Sequence, residues 1–437
     1  MSNYLNDFGA DHLQGKEVQS KTLRAGAGRA VIELPMELFP TEGFIGVHDM
    51  LRARVLLLED GNKLAFVSIE LTSLPGEVIL ALQKLVGDLT GFPAEHIWVF
   101  VTHTFSAPHF TPQQFCRTPA DQQRNDLLLQ VITNAVTQAT SKAFEKMQPA
   151  HFGYRTGFCN VNVNRDVPTA EGWWLGNNET GPSDKAVLVL RFENLQGEPI
   201  ALLFSYGVQP SVMDEPPTPD SERMVTADLA GAASRFLEKQ YGGSITALFC
   251  LGAAADQAPS LKGAKFQYVD RNGRVQVEDI EEEGFIIAKL LGRRLGIEVL
   301  QTSEKIKCQG LTDSIDILKG VVKCPGQKIT IDTHALHPTK QYEFIPDEER
   351  EEPIEIIRLG NVVLVGVRPE LCCQTGLNIK AQSPFPETMV LTMVNGGIKY
   401  MPGRSAYDRI TYEAMNSPFG RGSAELLTEK VIELLRG

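Results

Sequence analysis

Apolar and polar residues along the chain fall into strand and helix periods. "RARVLLLEDGNKLAFVSIEL" gives two strand-like runs around "EDGN", a hairpin signal. "GEVILALQKLVGDLTGF" has helical spacing and stops near glycine and proline. "HIWVFVT" is the next strand, and "RNDLLLQVITNAVTQATSKAFEKM" reads as a long helix. This β-β-α-β-α order predicts an α/β fold, a mixed β-sheet core flanked by helices.

Further along, "AVLVLRFEN" and "PIALLFSYGV" are strands around the turn "LQGE", and "TADLAGAASRFLEKQYGG" is a helix. "SITALFCLGAAADQAPS" is a buried strand breaking into very small residues, followed by the helix "EEEGFIIAKLLGRRLGIEVLQ". "IIRLGNVVLVGVRPELC" and "TMVLTMVNGG" are the last strands, and "SAELLTEKVIELLRG" is a closing helix. Two stretches break the pattern. "VNVNRDVPTAEGWWLGNNETGPSDK" reads as a long irregular loop, of the kind that carries function, and "DEEREEPIE" reads as a solvated loop. Residues 1–22 are a polar leader. No repeat or low-complexity linker divides the remainder, so 23–437 is expected to be one large domain.

Composition narrows the function classes. The chain has 437 residues, 43% hydrophobic and 22% charged, with a formal net charge of −12. That charge argues against nucleic acid as a partner, because phosphate binding needs a basic surface. No apolar run reaches the roughly 18 residues of a membrane span, and the N-terminal stretch lacks a signal-peptide core. Seven cysteines in no zinc-ribbon spacing do not form a disulfide framework. A cytoplasmic protein with a small-molecule substrate is the expectation.

The chemistry-bearing residues gather where strands end. In "HIWVFVTHTFSAPHF" (96–110) two of the chain's eight histidines, His103 and His109, follow a strand. If the strand continued, His103 and Phe105 would share a face about 6.6 Å apart, with His109 about 20 Å from His103. The two histidines can then share an ion only if the chain turns back at Pro108. Ligands in open α/β sheets bind beyond the carboxyl ends of strands. Gln209, Asp256 and Glu370 stand just past three other such ends.

Taken together, "RAGAGRAVIELP", "GVHDMLRARVLLLEDG", "FVTHTFSAPH", "NVNRD", "TADLAG", "LGAAADQAP", "VRPE" and "NGGIKYMPGRSAYDRITYE" resemble the neutral/alkaline (non-lysosomal) ceramidases. The resemblance spans about residues 24–436 and implies that family's catalytic-domain fold. Such proteins hold one zinc through two histidines, a glutamate and a tyrosine, and hydrolyse an amide bond. The resemblance puts the first histidine at His103, the glutamate at Glu370 and the tyrosine at Tyr400. It places the oxyanion-side tyrosine at Tyr412 and the arginine of the asparagine-rich loop at Arg165. His48 and Asp49 match the "GVHD" segment, and with Phe105 and Asp256 His48 is a candidate for substrate contact.

Three positions depart from the family pattern. Gln209 stands where the second zinc histidine is expected, and Phe105 replaces the second histidine of His-Thr-His. Ala258 stands where a serine is expected. Glutamine is a neutral oxygen donor and a poor substitute for imidazole at zinc. With His103, Glu370 and Tyr400 alone, metal affinity should drop by several kcal/mol out of the ~10–16 of full structural sites. Gln209 or a folded-back His109 is the alternative fourth ligand. Otherwise the site holds zinc or another divalent metal weakly, or none. The expected function is a metal-dependent hydrolase of an amide or ester bond in a small, water-soluble substrate. The alternatives are a metal-free, catalytically silent binding protein and a metal-free enzyme reusing the same pocket.

Overall fold

The structure, a computed structural model, describes residues 22–437 apart from 113–114, 215–221, 264, 270, 272–274, 280, 312–314 and 333–334. The expected leader therefore lies outside the described residues, save its last position. The chain opens with β1 (Arg24–Ile32), β2 (Phe44–Val47), β3 (Leu51–Glu59) and β4 (Lys63–Ile69). Helix α1 (Gly76–Thr90), β5 (Ile97–Val101), α2 (Pro119–Glu145) and β6 (Gln148–Phe158) follow. The middle holds β7 (Asn162–Pro168), β8 (Trp173–Asn178), β9 (Ala186–Asn194), β10 (Pro199–Tyr206), β11 (Arg223–Val225) and α3 (Asp228–Gln240). Then come β12 (Thr246–Leu251), β13 (Gln257–Pro259), β14 (Lys265–Val269), β15 (Val275–Asp279) and α4 (Glu281–Ser303). Strands β16 (Asp316–Gln327), β17 (Pro346–Leu359), β18 (Val362–Val367) and β19 (Glu370–Leu371) precede α5 (Cys373–Gln382). The chain ends with β20 (Glu387–Leu391), β21 (Tyr400–Met401), α6 (Arg404–Arg409), α7 (Tyr412–Met415) and α8 (Ser423–Arg436).

Two sheets stack face to face. The larger has the order β12-β10-β9-β6-β1-β3-β4-β5, and the smaller β16-β17-β18-β20. Leu56, Phe66, Leu190 and Leu203 of the first sheet meet Ile357, Leu364 and Met389 of the second in one shared core. Each such buried side chain contributes about 1.5–3 kcal/mol. The sheets approach so closely at Gly366 that a Cβ there would lie 2.9 Å from the Trp98 ring. Helices α1, α2, α3 and α4 cover the outer face of the large sheet, and α5 and α8 that of the small one. The α/β class read from the periodicity is the observed one, as a helix–sheet–sheet–helix stack.

The large sheet curls. Ser68 Oγ of β4 donates to Phe249 O of β12 at 3.3 Å, although these strands stand near opposite ends of the strand order. Leu251 O accepts from Thr392 N, and Val99 O accepts from Asn395 N, so one segment after β20 ties β12 to β5. Segments leaving β5, β10, β12 and β18 are thereby brought to one end of the molecule.

Three expectations are corrected. The stretch 161–185 is not wholly irregular: β7 and β8 pair as an antiparallel hairpin, and β13 adds to β7. "DEEREEPIE" lies within β17, not a loop. Its charges are balanced across the sheet, with Lys323 opposite Glu351 at 3.5 Å and the buried Glu352 held by Arg368 at 2.8 Å. Finally, β5 stops at Val101 and His103 has φ 65°, so His103 and Phe105 do not share a strand face.

Candidate functional site

His103 is set by the turn that ends β5. A left-handed backbone is unusual for a residue with a Cβ and tends to cluster at functional positions. Thr102 N donates to Ile69 O at 2.9 Å, which fixes the chain just before the turn. The imidazole is buried, and its Nδ1–H donates to Thr72 O at 2.6 Å. Nε2 therefore points the other way, 3.2 Å from Glu370 Oε2. That nitrogen is buried and has no well-aligned hydrogen-bond partner among the described residues.

Glu370 comes from β19, which pairs in parallel with β21 and places Glu370 beside Tyr400. Gln209 leaves the end of β10; its Nε2 donates to Glu370 Oε2 at 2.9 Å. Its Oε1 accepts from Arg165 Nη1 at 2.7 Å. Arg165 belongs to the β7–β8 hairpin, and its Nε donates to Glu413 Oε1 at 2.7 Å. The guanidinium lies over both tyrosine rings, 5.4 Å from the centre of Tyr400 and 5.7 Å from that of Tyr412. The two rings meet edge to face at 5.9 Å. Cation–π contact and ion pairing together hold Arg165 where it cannot reach solvent freely.

The electrostatics follow from burial opposed by close partners. Burial favours neutral His103, but the adjacent Glu370 carboxylate and the Thr72 carbonyl outweigh it and raise its pKa. Burial would likewise raise Glu370, yet His103, Arg165 and the Gln209 amide hold it below the usual carboxylate value. At both groups the partner's opposite charge thus outweighs burial. Burial pushes Tyr412 up. Behind Arg165, burial and the neighbouring Glu413 raise Asp166 well above the carboxylate range.

His103, Glu370, Tyr400, Tyr412, Gln209, Arg165 and Phe105 are brought together. The Phe105 ring stands 4.6 Å from that of His103, and Trp174 of the hairpin packs edge-on against Tyr412 at 5.7 Å. Asp256 lies one layer back. Its Oδ1 accepts from Cys373 N at 2.7 Å and its Oδ2 from Asn164 Nδ2 at 3.0 Å, so it braces the start of α5 and the hairpin. Ala258 pairs with Val163 in the small sheet. His109 is elsewhere: its Nδ1–H donates to Glu42 at 2.6 Å. Among the described residues it makes no hydrogen bond or ion pair with the Glu370 cluster. His48 stacks on Phe285 in a separate cavity beside α3 and α4. Sequence reasoning missed Glu413, which is fully buried and anchors Arg165. Its one signal was adjacency to Tyr412, because α7 is a single turn with no periodicity to read.

Among the described residues no group of three or more His, Cys, Asp or Glu side chains is placed to hold a metal. Counting the Tyr400 phenol, His103 and Glu370 supply three donors, the number used by catalytic zinc sites that keep a position open. A ligand histidine typically donates its second N–H to a carbonyl or carboxylate, as Nδ1 does here to Thr72. The buried Nε2, beside Glu370 Oε2 at 3.2 Å, is the atom such an ion would engage. His103 and Glu370 are in contact, and Tyr400 is the strand partner of Glu370. Gln209, weighed as a fourth ligand, has its oxygen turned to Arg165 and its amide NH2 to Glu370.

A two-layered sheet core flanked by helices, with His103, Glu370 and Tyr400 gathered at its strand ends, defines an α/β protein. A family model described as neutral/alkaline non-lysosomal ceramidase, N-terminal, matches residues 40–280, more than half of the sequence. The chain belongs to the neutral/alkaline non-lysosomal ceramidase family. It is 28% identical over 286 residues to the neutral ceramidase of Drosophila pseudoobscura pseudoobscura, covering 56% of this chain and 37% of the relative. It is 28% identical over 220 residues to neutral ceramidase B of Dictyostelium discoideum, covering 48% and 29%. The matches thus span about a third of the length of these curated relatives. The crystal structure of neutral ceramidase from Pseudomonas aeruginosa superposes with a TM-score of 0.70 at 16% identity, over 95% of this chain and 74% of that one. At that identity the likeness is one of fold. No helix among the described residues is long and apolar enough to cross a membrane.

Proposed function

We propose that the chain hydrolyses an amide or ester bond in a small, water-soluble substrate, with a divalent metal held by His103, Glu370 and Tyr400. The observation that carries this reading is the buried His103 Nε2, 3.2 Å from Glu370 Oε2 without a well-aligned hydrogen bond, with Nδ1 committed to the Thr72 carbonyl. Membership of a family whose named relatives are neutral ceramidases supports amide hydrolysis as the reaction class. When bound, such an ion polarises a carbonyl and lowers the pKa of water toward ~7.

The remaining residues position the substrate and receive charge. Tyr412 accepts from Asn416 Nδ2 at 3.2 Å, which leaves its own O–H to donate. That proton and the Arg165 fork are the donors for an oxyanion, where one well-placed donor is worth about 2.7–4 kcal/mol. Phe105 and Trp174 make two walls apolar. Ala258 replaces the serine expected in this family, and Gln209 gives up imidazole ligation; both favour a substrate other than ceramide. Turnover of a panel of N-acyl amino acids and short esters, beside dispersed ceramide, tests this. Chelator-sensitive cleavage of the soluble compounds without ceramide turnover is expected; robust ceramide hydrolysis overturns the substrate assignment.

A second reading, a metal-free binding protein, rests on one feature. His103, Glu370, Gln209, Arg165 and Glu413 are linked in one continuous chain of polar contacts without an ion. Absence of any chelator effect and of any turnover would favour it.

A further inference from the structure

The cavity around His48 is separate from the His103 cluster and has a charge pattern of its own. It measures about 370 Å³ and opens between α3 and α4, within the range of small-molecule sites. Arg235 and Lys239 line it from α3, four residues apart, and Lys289 and Arg293 line it from α4, also four apart. Like charges at that spacing destabilise a helix, and here two such pairs share one cavity. Two carboxylates, Asp49 and Asp228, line the same space. Among the described lining residues, four cations against two carboxylates leave a surplus of two positive charges, in a chain whose net charge is −12.

The carboxylates do little for the three outer cations. Asp49 pairs with Arg235 at 2.8 Å, and Asp228 accepts from Met213 N at 3.0 Å and Leu229 N at 2.6 Å. Lys239, Lys289 and Arg293 have no carboxylate within 4 Å among the described residues, and Arg235 Nη1 is buried without an acceptor. The other wall is flat and apolar: the His48 and Phe285 rings stack at 3.7 Å and 6°, with Phe236 beside them.

We propose that this cavity binds an organic phosphate, its head among the four cations and its organic body against Phe236 and the His48–Phe285 stack. One phosphate carries about −1.5 to −2 charges near neutral pH, which matches the surplus; a carboxylate neutralises half of it. The charge-assisted bonds of arginine and lysine to phosphate supply the recognition. The assignment is independent of the hydrolytic reading, since no residue is shared with the His103 cluster.

Calorimetric titration of the full chain at low salt tests it, with phenyl phosphate, benzoate and inorganic phosphate as probes. Phenyl phosphate should bind at least about tenfold tighter than either of the others. Lys289→Glu with Arg293→Glu, both on the exposed side of α4, should weaken it by at least about tenfold. Phe285→Ala should bring it down to the level of inorganic phosphate. Lys289→Ala, with an unchanged melting curve, guards against misfolding and should give a smaller loss in the same direction. A second arm uses phosphatidylcholine vesicles with and without phosphatidic acid. Binding only to the phosphatidic acid vesicles, lost in the double variant, identifies a lipid headgroup as the source; binding of phenyl phosphate alone identifies a soluble ligand. No binding in either arm, or binding that the double variant leaves unchanged, overturns the proposal.

Discussion

Arg54 and Arg165 are both buried arginines fixed by carboxylates, yet they stand in different regions and do different things. Arg54 lies inside the large sheet, 1% exposed, and donates to Glu70 at 2.6 Å and Glu238 at 2.7 Å. Glu238 in turn pairs with Arg52 at 3.0 Å and Arg29 at 3.4 Å. Every member belongs to β1, β3 or α3, save Glu70 just past β4, so the network ties a helix to a sheet. Arg165 has one carboxylate, Glu413; its second acceptor is the Gln209 amide, and its faces rest on Tyr400 and Tyr412. Its charge is therefore projected, through Gln209, toward Glu370 and His103. A guanidinium enclosed by carboxylates serves stability, while Arg165, balanced by a single carboxylate at strand ends, is the one the proposed function assigns to a ligand.

The contrast is broken most directly at Glu238. Removing one member of a buried ion network leaves uncompensated charge, at a cost of about 3–5 kcal/mol. Glu238→Ala should lower unfolding free energy by that amount in denaturant titration, and a loss under about 1 kcal/mol would remove the distinction. At the other region, Glu370→Ala should cut turnover of a soluble amide at least about a hundredfold, with a smaller effect on stability. Arg165→Lys, which loses the fork and its ring stacking, should lower kcat by about tenfold. Unchanged turnover in Glu370→Ala would remove the site.

A gentler test uses pH. Burial alone would raise Glu238, but Arg54, Arg29 and Arg52 outweigh it and hold it below its ordinary 4.5. A carboxylate whose folded pKa is depressed binds fewer protons in the native state than in the unfolded one. Its contribution is fully present above the unfolded value and is lost as pH falls through the folded one. Stability of the natural chain should therefore fall below about pH 4.5, and Glu238→Gln should make that fall shallower. A steeper fall in the variant would reverse the assigned sign.

The sequence made the scaffold legible because its strands and helices repeat over many residues. β3 and β4 around Asp60–Asn62, α1 with Gly91 in the left-handed position after it, and α3 are all where the periods put them. The acidic run in β17 was not legible as a strand, since its partners Lys323 and Arg368 come from elsewhere in the chain. At the site, His103, Gln209 and Glu370 stood out as polar residues at strand ends, while Tyr400, Tyr412 and Arg165 were named from a resemblance alone. Their linkage through Gln209 was not readable, because it depends on which way one amide is turned. Glu413 and the Thr72 carbonyl were missed for a related reason: a one-turn helix and a backbone acceptor leave no pattern in composition. His109, offered as a stand-in ligand, is held by Glu42, a contact made across a turn whose direction Pro108 does not specify.

In the proposed function, His103, Glu370 and Tyr400 form a metal site weakened by Gln209. This is tested most directly by the metal content of protein purified without chelator, compared between the natural chain and Gln209→His. Three donors without the second imidazole predict sub-stoichiometric zinc in the natural chain and a clear rise toward one ion per chain in Gln209→His, abolished by His103→Ala. Stoichiometric zinc in the natural chain would contradict the weakening, and metal in neither protein would contradict the site.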